Sequence, residues 1–109
     1  MRSLSALGEL VFRGMHAKGF PVYDRRPLEW LQLASMEVSE AAEEARLPTG
    51  PSHYIAEGGK PEGEAIEIAD AIMILAAYAV SQGFDLDRAI ESKLAYNETR
   101  PALHGGKRF

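Results

Sequence analysis

The chain has 109 residues, of which 46% are hydrophobic and 26% are charged, and its formal net charge is −4. These values are typical of one folded domain, residues 1–109, and exclude an intrinsically disordered chain. The sequence contains no cysteine, which excludes disulfides, thiolate nucleophiles, zinc ribbons and iron–sulfur clusters.

Charge is distributed unevenly along the chain. Residues 37–70 include nine acidic and two basic side chains, whereas residues 88–109 include five basic and two acidic ones. Nucleic-acid binding requires one continuous basic face, so this order argues against it and favours a site for a cation and a phosphorylated ligand. The longest uncharged run, residues 71–84, is too short to span a bilayer, and no secretory signal is evident. We therefore expect a cytoplasmic protein without membrane contacts.

The apolar spacing in the first half of the chain is helical. It predicts a first helix over residues 4–18, which ends at Gly19, and a second helix over residues 28–47, with Pro27 at its start. The following residues, 48–61, are rich in glycine and proline and are predicted to form a loop without secondary structure.

The second half continues the same helical spacing. A third helix is predicted over residues 62–82 with Gly83 as its cap, and a fourth is predicted from the N-cap Asp85 to residue 99 or 100. The remaining residues, 101–109, are expected to form a flexible basic tail. No convincing strand pattern is present, so the predicted fold is an all-α domain of four helices.

Two pairs of carboxylates recur at helical spacing. Glu37 and Glu40 share a face of the second helix, and Trp30 lies on that face nearer the start of the helix. Glu67 and Asp70 share a face of the third helix, which is otherwise apolar nearly all round. An acidic face on one helix is usually solvated, but carboxylates in a buried helix are unfavourable unless a cation compensates them.

A bound metal is a simpler compensation than salt bridges, because Arg46 and Lys60 are the only basic residues between positions 37 and 70. Four carboxylates provide oxygen ligands, which suit Mg²⁺, or Mn²⁺ in its place, better than zinc or copper. A ferritin-like di-iron centre needs Glu-x-x-His on two helices, and no histidine here has a glutamate three positions earlier. We therefore predict Mg²⁺ ligation by all four carboxylates.

This arrangement resembles a family signature. Glu37-Val-Ser-Glu40, followed after 26 residues by Glu67-Ile-Ala-Asp70, is similar to the ExxE…ExxD motif of the MazG-like all-α nucleoside triphosphate pyrophosphohydrolases. The ending of the chain, KLAYNETRP followed by HGGK, resembles that of many small members. One departure is Met36, where many members have a further glutamate. The number of metal ions therefore stays open, with Glu44 and Glu64 as candidate additional ligands.

The resemblance implies a MazG-like four-helix bundle completed by oligomerisation into a homodimer or homotetramer. It also implies metal-dependent cleavage between the α and β phosphates of a nucleoside triphosphate, which releases the monophosphate and pyrophosphate and controls a nucleotide pool. The narrowest substrate expectation is a purine deoxynucleotide, dGTP or dATP. The four carboxylates would then hold the metal and carry the catalysis, and one of them, such as Glu40, would orient or deprotonate the attacking water.

Substrate-binding residues are predicted at both ends of the chain. By similarity, Lys93, Asn97 and Arg100 meet phosphate or sugar from one side of the fourth helix. His104 and Lys107 flank a glycine pair and are expected to close over the triphosphate, although a frayed terminus is the alternative. Trp30 is a candidate for stacking on the base, with a core or dimer-interface role as the alternative. Loop residues Tyr23, His53 and Tyr54 are weaker candidates.

Two other functions agree with the same residues. Phosphoribosyl-ATP pyrophosphohydrolase, from the same superfamily, acts at the equivalent bond of a bulkier substrate. A non-catalytic helical dimer with a regulatory role would have acidic faces that are only solvated surface. Stabilisation by Mg²⁺ or Mn²⁺ separates the enzymes from the non-catalytic protein, because a ligand that binds only the folded state raises Tm.

Overall fold

The computed structural model describes residues 3–47 and 50–101. This part of the chain confirms the predicted all-α class, and its four helices begin and end within about two residues of the predicted positions. They are α1 (Leu4–Ala17), α2 (Pro27–Ala45), α3 (Glu64–Gln82) and α4 (Leu86–Glu98). None of these described helices is both long enough and apolar enough to cross a membrane.

The segment between α2 and α3 is not structureless, and the prediction for it was wrong. β1 (Tyr54–Ile55) pairs with β2 (Pro61–Glu62) in an antiparallel ribbon. Gly58 and Gly59 form the connecting turn with φ angles of 89° and 87°, a backbone region that favours glycine. The Tyr54 hydroxyl donates a hydrogen bond of 3.1 Å to the Glu62 carboxylate, which fixes the tyrosine ring at the base of the ribbon.

The ribbon is attached to the start of α3. The main-chain N–H of Ala65 donates a hydrogen bond of 2.8 Å to the carbonyl oxygen of Ser52. Gly63, which caps α3 with φ of 119°, has no space for a side chain, because a Cβ atom there would overlap the Ser52 carbonyl. The ribbon and the first turn of α3 therefore hold a defined position relative to each other.

The hydrophobic core lies where α1 and α2 both pack against α3. Its centre is made by Phe12 of α1, Val22 of the connecting segment, Trp30 of α2 and Ala77 of α3. Trp30 is the largest of them and has no exposed surface. Most other buried side chains are alanines, so the helices approach closely and this core is small.

Helix α1 closely approaches α3 at Gly8, which is buried. A Cβ atom at this position would overlap the carbonyl oxygen of Ala76 and lie 2.8 Å from Cγ2 of Val80. The absence of a side chain at Gly8 therefore allows the two helix backbones to come together.

Helix α4 is attached differently from the other helices. It begins after Gly83, which ends α3 with φ of 71°, and the Asp85 side chain caps it by accepting a hydrogen bond of 3.0 Å from the N–H of Arg88. The Asp87 carboxylate accepts hydrogen bonds of 2.9 and 3.0 Å from the N–H groups of Leu4 and Ser5, at the start of α1. None of the residues of α4 is buried. Among the described residues, the contact of the Asp87 carboxylate with the start of α1 is thus the main polar attachment of α4.

One face of α3 stays open to solvent. Ile68, Ile72 and Leu75, spaced four and three residues apart, lie on this face with exposed fractions of 47%, 45% and 40%. The radius of gyration is 16.6 Å, whereas a compact domain of this length has one of about 13 Å. The single protomer is therefore more extended than its length requires, and part of its most apolar helix is uncovered.

Candidate metal centre

The structure brings three of the four predicted carboxylates together. Glu37 from α2 and Glu67 and Asp70 from α3 are half-buried, and each presents an oxygen within 4.8 Å of the other two. The packing of α2 on α3 creates this carboxylate cluster, because the acidic faces of the two helices meet along one edge of their contact. Glu40, the fourth predicted ligand, is solvent-exposed beside the cluster.

The pKa values of the cluster show how closely the charges are held. Burial, together with the neighbouring Glu40 and Glu37 carboxylates, raises the pKa of Glu67 to about 7. Burial also raises the pKa of Glu37 and of Asp70, and the charge of Glu40 adds to both shifts. Among the residues that the structure describes, Lys60 is the basic group that opposes these shifts, because its charge acts to lower the pKa of Asp70. The metal-free cluster therefore retains protons that isolated carboxylates would lose.

One oxygen of the cluster lacks a partner. Oε2 of Glu37 is buried and has no hydrogen bond from any residue in the described ranges. The two ion pairs found there, Arg26–Glu29 and Lys60–Glu62, do not include the cluster. Within the described ranges, no salt bridge therefore compensates the charge of the cluster. The all-oxygen donor set and the unpartnered oxygen fit a hard divalent cation.

We predict that the metal-free protein becomes less stable as the pH is raised. Since the pKa of Glu67 is about 7 in the folded protein and ordinarily 4.5, the folded state binds this proton more tightly than the unfolded state. Its stabilising contribution is complete below the ordinary value and is lost as the pH rises through 7. Urea unfolding in EDTA between about pH 5 and pH 8 measures this decline. Glu67→Gln should flatten the profile, and stability that rises over this interval in the unmodified protein would contradict the assignment.

The predicted phosphate-binding residues lie together on α4. The Lys93 ammonium and the Arg100 guanidinium stand 5.2 and 5.5 Å from the ring centroid of Tyr96, so both cations lie against this ring. Oδ1 of Asn97 is buried without a partner among the described residues. No hydrogen bond or ion pair joins these side chains to the carboxylate cluster within that part of the chain. The structure therefore assembles the basic group but does not bring it to the carboxylates of its own protomer.

Trp30 lies in the core rather than on the acidic face. Its side chain has no exposed surface, its ring centroid lies 6.2 Å from that of Tyr78, and the Arg25 guanidinium stands 5.0 Å from its ring. This position favours the core role over stacking on a base, because neither face of the ring is accessible. His104 and Lys107, the predicted residues of the tail, are outside the described residues.

A cavity that the sequence did not reveal lies between the end of α2 and the start of α3. Its volume is about 490 Å³, and it is bounded by the end of α2, the residues leading into β1, and the first residue of α3. The main side chains lining it are Glu44, Ala45, Leu47, Pro51, Tyr54 and Glu64. Tyr54 was identified from the sequence only as a weak loop candidate, because the contact between this loop and the helix ends has no local signal.

No family model matches this sequence, and comparisons with curated proteins and with solved structures likewise find no match.

Proposed function

We propose that this protein is a metal-dependent nucleoside triphosphate pyrophosphohydrolase, which cleaves the bond between the α and β phosphates. The observation that carries the proposal is the convergence of Glu37, Glu67 and Asp70 from two helices, with a buried Glu37 oxygen that lacks a hydrogen-bond partner among the described residues. Three carboxylates held this close, with no basic residue paired to them in that part of the chain, support a divalent cation as their natural partner.

The residues of the cluster have separate roles in this proposal. Glu37, Glu67 and Asp70 would hold Mg²⁺, or Mn²⁺ in its place. Bound there, the ion would neutralise charge on the phosphate oxygens and increase the acidity of the attacking water. Glu40 is exposed beside the cluster, which supports a role in orienting that water and accepting its proton.

The basic group on α4 is proposed to bind the triphosphate. Lys93 and Arg100 both lie against the ring of Tyr96, and a guanidinium matches the geometry of phosphate oxygens. The triphosphate brings further negative charge to the acidic segment of residues 37–70 during the reaction. The cationic side chains of α4 would compensate part of that charge.

We further propose that the protein is a homo-oligomer. The uncovered stripe of Ile68, Ile72 and Leu75 and the extended shape of the protomer support burial of this face against a second copy. Self-association also provides a route by which the basic group on α4 reaches a carboxylate cluster, since α4 packs mainly on α1 of its own chain.

Ile72→Glu is expected to shift the protein from an oligomer to a monomer, because a charge in the centre of a buried apolar interface is unfavourable. Light scattering coupled to gel filtration measures the mass of each species. Leu10→Glu is the control, since Leu10 is 63% exposed on α1, away from the stripe. A stable monomer before substitution, or an oligomer unaffected by Ile72→Glu, would contradict the proposed interface.

The proposed activity is tested by product identification. The protein is incubated with each common ribo- and deoxyribonucleoside triphosphate in the presence of Mg²⁺ or Mn²⁺, and the products are separated. Monophosphate and pyrophosphate are expected, with activity lost in EDTA. Diphosphate and orthophosphate would contradict the assigned bond. If no triphosphate is cleaved, turnover of phosphoribosyl-ATP supports the superfamily alternative, and the absence of metal-induced stabilisation supports a non-catalytic protein.

A further inference from the structure

The cavity at the end of α2 is lined by residues of the same two helices that carry the carboxylate cluster. Glu44 follows Glu37 by two helical turns, about 10.5 Å along α2, and Glu64 precedes Glu67 by one turn, about 4.5 Å along α3. A nucleotide has its phosphates and its base at opposite ends of the sugar. If the phosphates bind at the cluster, a base pocket one to two turns away is well placed.

The cavity has the size and the walls of a small-ligand site. Its volume of about 490 Å³ is in the range usual for such pockets. Leu47 and Pro51 supply apolar surface, and the ring of Tyr54 is held in place by its hydrogen bond to Glu62. A flat ring with apolar faces and polar edges matches these walls.

The charged groups that line the cavity among the described residues are both carboxylates, and Ser52 adds a hydroxyl that can donate or accept. Glu44 and Glu64 are half-buried carboxylates, which only accept hydrogen bonds when ionised. Neither makes a side-chain hydrogen bond or an ion pair with the described residues, and no lysine, arginine or histidine lines the cavity among them. The two carboxylates therefore favour a ligand that supplies N–H donors and disfavour a negatively charged group.

Of the common bases, guanine satisfies these requirements best. Its Watson–Crick edge presents two adjacent donors, N1–H and the 2-amino group, which match carboxylate oxygens as acceptors. In adenine and cytosine the amino group stands beside a ring nitrogen that accepts, and in thymine and uracil a single N–H stands between two carbonyls. Each of these arrangements sets a lone pair against the carboxylate.

We infer that this cavity is the base pocket of the enzyme and that Glu44 and Glu64 select guanine by accepting hydrogen bonds from its N1–H and 2-amino groups. The inference rests on the proposed function, whose phosphate site it extends, and it narrows the substrate to a guanine nucleoside triphosphate. Glu44 and Glu64 are thereby specificity residues, and the carboxylate cluster performs the chemistry.

The test compares dGTP with dITP, whose base lacks only the 2-amino group. We expect kcat/KM to favour dGTP by about tenfold or more, because the missing donor leaves a carboxylate oxygen unpaired. The double variant Glu44→Gln/Glu64→Gln should reduce this ratio to near one. The matched control is Glu43→Gln, on α2 next to Glu44 but outside the cavity, which should keep the full ratio. Equal use of both substrates by the unmodified protein, or an unchanged ratio in the double variant, would overturn the inference.

Binding measurements separate this inference from the proposed function. Calorimetric titration with dGMP and dIMP needs no turnover, and dGMP should bind more tightly in a way that depends on Glu44 and Glu64. If that preference is found but no triphosphate is hydrolysed, the base pocket stands and the hydrolase proposal falls. If hydrolysis occurs with no guanine preference in turnover or binding, the pocket inference falls alone.

A second substitution guards against a folding defect. Glu64 is in the first turn of α3, where a negative charge stabilises the helix, so its neutralisation carries a small stability penalty. Glu64→Asp retains the charge and shortens the reach of the carboxylate. Glu64→Asp should also lower the ratio of kcat/KM for dGTP to that for dITP, while its circular dichroism spectrum stays unchanged. Retention of the full ratio in both Glu64→Asp and the double variant would show that Glu64 does not contact the base.

Discussion

Asp70→Asn is expected to reduce pyrophosphate release by about a hundredfold or more, while the metal-free variant melts at a higher temperature than the unmodified protein. The loss of activity follows from removal of a charged oxygen from the site proposed to hold the metal. The higher melting temperature follows because burial and the nearby Glu40 charge raise the pKa of Asp70. The ionised form of Asp70 is therefore unfavourable in the metal-free fold. Kinetics and thermal melts at about pH 8, with EDTA and with Mg²⁺, measure both effects.

These opposite shifts distinguish a metal site from a structural contact. In the unmodified protein Mg²⁺ should raise Tm, and in Asp70→Asn this response should largely disappear. Glu9→Gln is the control, because Glu9 is an exposed carboxylate on α1 outside the cluster, and it should leave turnover and the Mg²⁺ response intact. Normal turnover by Asp70→Asn would exclude this part of α3 from the active site.

Gly8→Ala is expected to destabilise the protein, even though alanine is the better helix former. A methyl group at Gly8 would overlap the Ala76 carbonyl and press on Val80, so α1 and α3 would have to move apart. Overpacking of this kind costs about 1–3 kcal/mol, whereas the gain in helix propensity is about 1 kcal/mol. Because the obstacle is backbone rather than a flexible side chain, we expect the penalty to dominate, and urea unfolding measures the difference.

The matched control for this prediction is in the same helix. Gly14 is exposed, and nothing lies within 4 Å of a Cβ atom built on it. Gly14→Ala should therefore stabilise the protein by about 0.5–1 kcal/mol, the value expected for helix propensity alone. Opposite signs for the two substitutions would establish close packing of α1 on α3, and stabilisation by both would refute it.

Features governed by neighbouring residues could be predicted from the sequence. Pro27 begins α2, Gly83 ends α3 and Asp85 caps α4, each as expected, because these signals act within one turn of a helix. The convergence of Glu37 with Glu67 and Asp70 was also anticipated, since two helices with adjacent acidic and apolar faces bury the apolar faces first.

Features that depend on distant contacts could not be predicted. Helical spacing places Trp30 near the acidic face, but Phe12 and Val22 of the preceding segments cover that end of α2 and bury the ring. The two-residue strands are too short to show the alternation of apolar and polar residues that indicates a strand. Their pairing depends on glycines that also indicate a loop. The contact of Asp87 with the start of α1 joins residues 83 positions apart, so no local pattern could indicate where α4 would pack.

The attachment of α4 has a consequence for hydrogen exchange. A helix with no buried residue, joined to the body mainly through Asp87, can open without disturbing the core around Trp30. Its amides should therefore exchange by local opening in the isolated protomer, whereas those in the middle of α3 should exchange only when the whole domain unfolds. The helix that carries the cationic side chains is thus the least protected of the four, and its amides report most directly on any contact that orders it.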